Sequence, residues 1–433
     1  MTLADIAKNG VVGAGGAGFP TQVKLAASPE FLILNAAECE PLLHKDEEIV
    51  RHFTDEVVAG FRIAMELTRA RLGIIGIKQK HQELIASLEE KTDSRIKIVT
   101  IGDFYPAGDE VTLVYLTTGR VVQPGELPIS VACLVQNVET LLNVERNRPV
   151  VEKYLTVAGA VANPMTIKAP IGASLADVLS HFQITASSFV IRSGGLMMGE
   201  LEHDLNAVIT KTTGGLLVLP ADHHLAVVYE RYADPHQTVR IAKAGCDQCN
   251  FCTELCPRYL LGHPVRPETA MRNRMFSSGD ENCFHPGNAF CCECNLCTLY
   301  ACPEGLDPKG ATLIEKRGML AQGYQGQALP VKAHPMLDYR KAPTKSLMQR
   351  LDVMQYKDEA PLNEIEFNLS RVRIPLKQHI GAPAKSFVRI GDRVKKYDLI
   401  GEASGDISAN VHASIDGVVS EITESDILLE KLS

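Results

Sequence analysis

Short apolar runs alternate with longer amphipathic stretches through the first 150 residues. Phe31 to Asn35, Leu72 to Ile77 and Arg95 to Ile101 read as strands, and Asp46 to Arg71 reads as a helix between the first two. That alternation predicts βαβ units around a largely parallel sheet over residues 1–150. From 151 to 232 the texture changes to short β-rich pieces, Tyr154 to Ala158 and Leu216 to Leu219, around one helical segment, Ser174 to Phe182, which predicts a small α+β domain. A cysteine-rich block follows within 233–335, running from Cys246 to Cys302. Residues 336–372, rich in Pro, Lys and polar side chains, read as a linker or surface wrap. The end, 373–433, breaks into short strands between glycine turns, Phe387 to Val394, Leu399 to Ala403, Val411 to Ile415 and Gly417 to Ile422, the rhythm of a compact sandwich or barrel. The expected class is a multidomain α/β and α+β protein.

Composition narrows the function. The 433 residues are 45% hydrophobic and 22% charged, an ordinary globular mixture long enough for about three domains. A net charge of -8 argues against a nucleic-acid partner, because phosphate backbones are bound by concentrated positive charge. No apolar run approaches the ~18 residues of a membrane span, and no basic segment followed by an apolar one marks an export signal. The expectation is a cytoplasmic protein without a membrane span. Twelve cysteines in that setting read as ligands rather than disulfides.

Their spacing identifies the chemistry. Cys246, Cys249, Cys252 and Cys256, followed by Pro257, form C-x2-C-x2-C-x3-C-P, the bacterial ferredoxin run. Cys291, Cys294, Cys297 and Cys302, followed by Pro303, repeat it with one extra residue before the last cysteine. In two-cluster ferredoxins the fourth cysteine ligates the other cluster. The expected sets are therefore Cys246, Cys249, Cys252 and Cys302 on one [4Fe-4S] cluster, and Cys291, Cys294, Cys297 and Cys256 on the other. Structural zinc is the alternative, but four-ligand zinc sites have no use for a third regularly spaced cysteine ahead of Cys-Pro. Cys292 breaks the spacing and reads as a bystander; Cys39, Cys133 and Cys283 read as small core residues.

Residues 10–24, GVVGAGGAGFPTQVK, place Gly13, Gly15, Gly16 and Gly18 ahead of a helix start near Pro20 and Thr21, an arrangement that brings backbone amides close to a phosphate. Next come the strand-ending Asn35-Ala36-Ala37-Glu38-Cys39-Glu40-Pro41, then Tyr105-Pro106-Ala107-Gly108-Asp109-Glu110, then Asn137-Val138-Glu139-Thr140. These four ordered motifs resemble the flavin-binding fold shared by the NADH-binding flavoprotein subunit of respiratory complex I and by RnfC of the Rnf complex. The resemblance implies a Rossmann-like domain holding FMN. Its phosphate would lie on Gly13, Gly15, Gly16, Gly18 and Lys24, and its remaining contacts would come from Asn35, Glu38, Glu40, Glu110, Asn137 and Thr140. Glu38 and Glu40 would be the catalytic acids, and Phe19 matches the aromatic that lies beside the nicotinamide of NADH. Where the complex I subunit has Arg in the loop and Asp after Asn-Ala, this chain has Ala14 and Ala37; the second change agrees with RnfC.

Residues 154–230 resemble the β-grasp domain that follows the flavin domain in these families, and the tail from Pro375 to Gly417 resembles the barrel-sandwich hybrid of RnfC. No lysine stands at the hairpin tip Ser414 to Gly417, so a covalent lipoyl or biotinyl group is not expected. The whole module order resembles the cobalamin reductases of propanediol utilisation. That implies NADH as donor, cobalamin as acceptor, an adenosyltransferase and microcompartment shell proteins as partners, and a place inside a bacterial microcompartment. The alternative is an electron-relay subunit of an Rnf-like complex with a different acceptor.

Overall fold

The computed structural model describes residues 1–276, 283–324, 326 and 330–432. The first module is built on four parallel strands in the spatial order Ile96–Ile101, Leu72–Lys78, Phe31–Ala36, Cys133–Asn137. Its inner strands are almost wholly apolar because both faces are covered. Leu32, Leu34 and Ile75 pack under the helices Lys45–Thr68 and Val138–Arg146, while Ile33, Ile74 and Val135 pack under Glu110–Thr118. The winding reverses between Phe31–Ala36 and Cys133–Asn137, where Asn35 and Asn137 stand side by side in register. A reversal of this kind opens a crevice at the carboxyl ends of the strands.

The second module is a five-stranded sheet in the order Met165–Pro170, Glu152–Gly159, Gly215–Pro220, Phe189–Ser193, Glu200–Glu202, with the two strands Glu152–Gly159 and Gly215–Pro220 parallel. Its helix, Leu175–Leu179, is shorter than the sequence pattern predicts and starts from a capping box between Ser174 and Asp177. Helices Pro235–Gly245, Pro267–Phe276 and Pro308–Ala321 frame the cysteine region.

The stretch 336–372 is a wrap rather than a loose tether. Ala342–Pro343 pairs with Phe104–Tyr105, and Leu347 and Leu351 on and after the helix Thr344–Arg350 are fully buried. The final module is two small sheets, one of Arg371–Pro375, Asp426–Glu430, Gly417–Ile422 and Arg393–Val394, the other of Lys385–Ser386, Leu399–Glu402 and Val411–His412. The single strand expected over Phe387 to Val394 is instead interrupted, because Gly391 takes a φ of 92° and turns the chain. The hairpin tip is docked: the buried Ser414 Oγ donates to Ile171 O at 2.6 Å, which suits a structural element rather than a swinging arm.

Three modules meet on one lysine. Lys211 is buried without a carboxylate partner among the described residues, and its Nζ donates to Gly10 O and to Asn410 O, both at 2.7 Å. Gly10 is required there, since a Cβ would stand 2.3 Å from Asn410 O. Burial pushes the Lys211 amine down to about 7 from an ordinary 10.5. Its folded-state pKa lies below the unfolded one, so across that window the unfolded chain holds a proton that the folded chain does not, and stability rises with pH. Lys211→Met is expected to flatten this rise when melting temperature is followed from about pH 7 to about pH 9. Parallel wild-type and variant curves would show that the amine remains charged in the fold.

Candidate functional site

The carboxyl end of the first sheet gathers most of the residues singled out from the sequence. In the glycine loop, Gly13 N–H donates to Phe19 O at 2.9 Å and Val12 bridges to Pro20, closing a turn over residues 14–17. Gly15, Gly16 and Ala17 are exposed, and no hydrogen bond among the described residues engages their amides. Gly16 has a φ of 127° with open space where a Cβ would be, and a Cβ on Gly15 would come within 3.3 Å of the Asn137 side chain. Free amides with no side chain in the way make a cradle for an anionic group.

Gly18 has another reason. A Cβ there would meet Thr212 at 2.9 Å and the backbone of Gln378 and His379 at 3.0 Å, so this glycine serves packing between modules. The helix expected after the loop is one turn, Thr21–Lys24, too short for its dipole to add much.

Around the crevice, Asn35 Nδ2 donates to Gly108 O at 2.9 Å, and Lys24 Nζ meets Glu110 Oε1 at 2.8 Å. Asn137 Nδ2 donates to Asp46 Oδ2 at 2.6 Å. Thr140 is fully buried and accepts the Ala14 N–H at 2.9 Å, so it braces the loop from behind. Phe19 is half-buried at the loop's end. Glu38 accepts the Asp46 N–H at 3.1 Å, and burial together with the nearby Asp46 pushes its carboxyl up. Glu40 is engaged at both oxygens, by Met197 N at 2.8 Å and Met198 N at 2.9 Å; burial pushes it up to about 7 against those bonds. Both acids line a cleft shared with Lys78, Lys80 and His81. Gln136 escaped the sequence reading; it is buried next to Asn137, and its amide nitrogen has no partner among the described residues. Its signal was an amide directly after the apolar run Cys133 to Val135 and before Asn137.

The cysteines form two groups. Cys246, Cys249, Cys252 and Cys302 line one hollow. Cys256 stands instead beside Cys291 and Cys292, and Cys294 and Cys297 both neighbour it. The two motifs share a backbone pattern: Gln248, Asn250, Glu293 and Asn295, the residues before and after each second cysteine, have φ of 57°, 66°, 62° and 64°. Such left-handed residues turn successive amides inward, the nest common at iron–sulphur sites. The extra residue of the second motif is absorbed by a π-helical turn, Cys297–Ala301, where the first has the α-turn Phe251–Glu254. Among the described residues no three His, Cys, Asp or Glu side chains converge as a single-ion site would require.

Cys249 is exposed, whereas Cys256, Cys294 and Cys297 are buried. Of the remaining cysteines, Cys133 is a core residue as expected, Cys39 is half-buried and accepts the Gly108 N–H at 3.4 Å, and Cys292 is half-buried. Cys283 is exposed, contrary to the core expectation; it lies outside any helix or strand, ahead of the turn Pro286–Phe290.

Crevice and second group meet at one junction. The fully buried Tyr105 donates from its hydroxyl to Cys294 O at 2.7 Å, and Asn295 Nδ2 donates to Met197 O at 3.2 Å. Arg258, two residues beyond Cys256, forks onto Asp109 at 2.6 and 2.9 Å. Burial alone would raise the Asp109 carboxyl, but Arg258 and the Thr112 hydrogen bonds outweigh it and hold it below its ordinary value.

A flavin-type crevice coupled to two four-cysteine groups defines a flavin and iron–sulphur oxidoreductase. Residues 6–146 match the Nuo51 FMN-binding domain, 245–307 a 4Fe-4S dicluster domain, and 352–431 the RnfC barrel sandwich hybrid domain. The last match begins within the wrap. The chain is 42% identical over 428 residues to the cobalamin reductase PduS of Salmonella typhimurium, covering 96% of this chain and 94% of that one. It is 40% identical over 426 residues to that of Citrobacter freundii, covering 96% and 94%. Identity to a component of the Na(+)-translocating ferredoxin:NAD(+) oxidoreductase complex of Acetobacterium woodii is 32%, over 58% of this chain and 56% of that one. The chain belongs to the cobalamin reductase PduS family.

Breaking the junction is a direct test of its tightness. Asp109→Asn strands the Arg258 charge and is expected to cost about 3–5 kcal/mol in denaturant unfolding. A cost under ~1 kcal/mol, typical of exposed pairs, would mean that water reaches the guanidinium.

Proposed function

We propose that this chain is an NADH-dependent cobalamin reductase, passing electrons through FMN and two [4Fe-4S] clusters to cob(III)alamin and cob(II)alamin. The observation that carries this reading is the turn 105–109, which belongs at once to the crevice and to the wall of the second cysteine group. Bound FMN accepts a hydride's two electrons and releases them singly, which suits clusters that carry one each.

The free amides of Gly15 and Gly16, with Lys24 nearby, fit the FMN phosphate; Asn35, Glu38, Glu110 and Asn137 supply polar contacts on the remaining sides. The Rossmann-like name for the first module and the β-grasp name for the second rest on strand order and sequence resemblance. Cys246, Cys249, Cys252 and Cys302 take one cluster, and Cys256, Cys291, Cys294 and Cys297 the other. The second set adjoins the crevice, with Cys256, Cys294 and Cys297 buried and Cys291 half-buried, and a cluster there would receive electrons first; the first set reaches the surface at Cys249, where a cluster would deliver them. The family name supports propanediol utilisation as the setting, with an adenosyltransferase and shell proteins of a microcompartment as partners. No described helix is long and apolar enough to cross a membrane.

Cys302→Ser is expected to abolish the cluster held by Cys246, Cys249 and Cys252 while sparing the other, as counted by iron content and Mössbauer spectra. Loss of the other cluster instead would reverse the crossed assignment. For the whole route, anaerobic titration with NADH should bleach the flavin band, raise a reduced-cluster EPR signal and, after hydroxocobalamin is added, give cob(II)alamin. Failure of NADH to reduce the flavin in a fully loaded protein would favour a relay fed by another protein, the reading supported by Ala37 and by the likeness to the ion-translocating complex of Acetobacterium woodii.

A further inference from the structure

The glycine loop is held from behind by a residue of the second module. Lys153, on the strand Glu152–Gly159, is buried, and its Nζ donates to Ala14 O at 3.2 Å. The other face of the same residue is held by Thr140, whose Oγ1 accepts the Ala14 N–H. Ala14 is therefore bonded at both its N–H and its C=O, immediately before the three residues whose amides are free. Lys153 is itself fixed by an ion pair with the buried Glu139, whose second oxygen accepts Tyr154 N at 3.0 Å. Lys45 lies 3.4 Å from Glu139 and is bonded to Asp46, which accepts from Asn137 at 2.6 Å. One buried chain of charges thus runs from the second module, under the loop, to the crevice wall.

We infer that Lys153 is a positioning residue for phosphate recognition: by fixing the Ala14 peptide it sets the free amides of residues 15–17 at the reach an anionic phosphate needs, and so makes the site choose FMN over unphosphorylated riboflavin. The inference rests on the FMN reading above. The Ala14 side chain is a buried methyl that offers no hydrogen bond of its own, which leaves the backbone to be aimed by its supports. A purely structural ion pair would make a different prediction, since weakening the fold lowers affinity for both flavins together.

The test uses the full chain stripped of flavin, titrated with FMN and with riboflavin. Lys153→Met leaves the buried Glu139 with only its 3.4 Å contact to Lys45 and can unfold the protein; the double variant Glu139→Gln/Lys153→Met removes both charges while keeping the volume. It is expected to retain wild-type iron content and melting behaviour, to bind FMN roughly 10- to 100-fold more weakly, the loss typical of one charge-assisted hydrogen bond, and to bind riboflavin as before. Thr140→Val should lower the FMN preference from the other side of Ala14, and Thr140→Ser should restore it. An unchanged preference in the double variant, or a loss shared equally by both flavins, overturns the inference. A wild-type chain that binds neither flavin sinks the FMN reading and this inference with it.

Discussion

The working distance in this protein is set by five residues. Between Tyr105 and Asp109 the chain accepts Asn35 at Gly108 O, touches Cys39 with Gly108 N–H, reaches Cys294 O with the Tyr105 hydroxyl, forks Arg258 onto Asp109 and caps the helix Glu110–Thr118. Gly108 admits no side chain, because a Cβ would stand 2.5 Å from Ala37 O. Each contact is ordinary in strength. Together they leave the crevice and the second cysteine group no freedom to drift apart, which is what electron transfer between separately bound groups requires.

Buried charge does similar work elsewhere. Pairs such as Asp109 with Arg258 and Glu139 with Lys153 add little net stability over well-packed apolar residues, yet breaking either strands an uncompensated charge. Such pairs specify where modules sit more than how firmly. The second module is accordingly part of the site: Lys153 holds the loop, and residues 194–199 satisfy both oxygens of Glu40 while Met197 O accepts from Asn295. Glu40, which the resemblance reads as a catalytic acid, also ties the two modules together through these bonds.

What the sequence made legible was local. The alternation of apolar runs located the parallel sheet, because strands covered on both faces must be apolar, and cysteine spacing located three members of each group, the fourth of each coming from the other motif. Contacts between distant segments left no such trace. Gly18 looked like its neighbours in the loop until Thr212 and His379 were seen against it, and Lys153 reads as one more lysine on a strand. The π-turn at Cys297–Ala301 was half legible: the extra residue was visible, but not that the helix, rather than the cysteine positions, would absorb it. The helix start expected near Thr21 is there, but Leu25 ends the helix after one turn.

Burial also gives the order of electron transfer an electrostatic reason. Both cysteine groups have the same ligands and the same left-handed residues beside the second cysteine, so neither thiolates nor amide nests separate their potentials. Solvent does. Adding an electron costs more where water cannot screen it, and cluster potentials follow exposure. Each group has buried members, Cys252 and Cys302 in the first and Cys256, Cys294 and Cys297 in the second, but only the first opens to solvent, at Cys249. A nearby Arg258 would favour the reduced state of the buried group, but its charge is already committed to Asp109 at 2.6 Å. A cluster held by the group that opens at Cys249 would on that ground be the better acceptor of the two, which suits the proposed order of transfer.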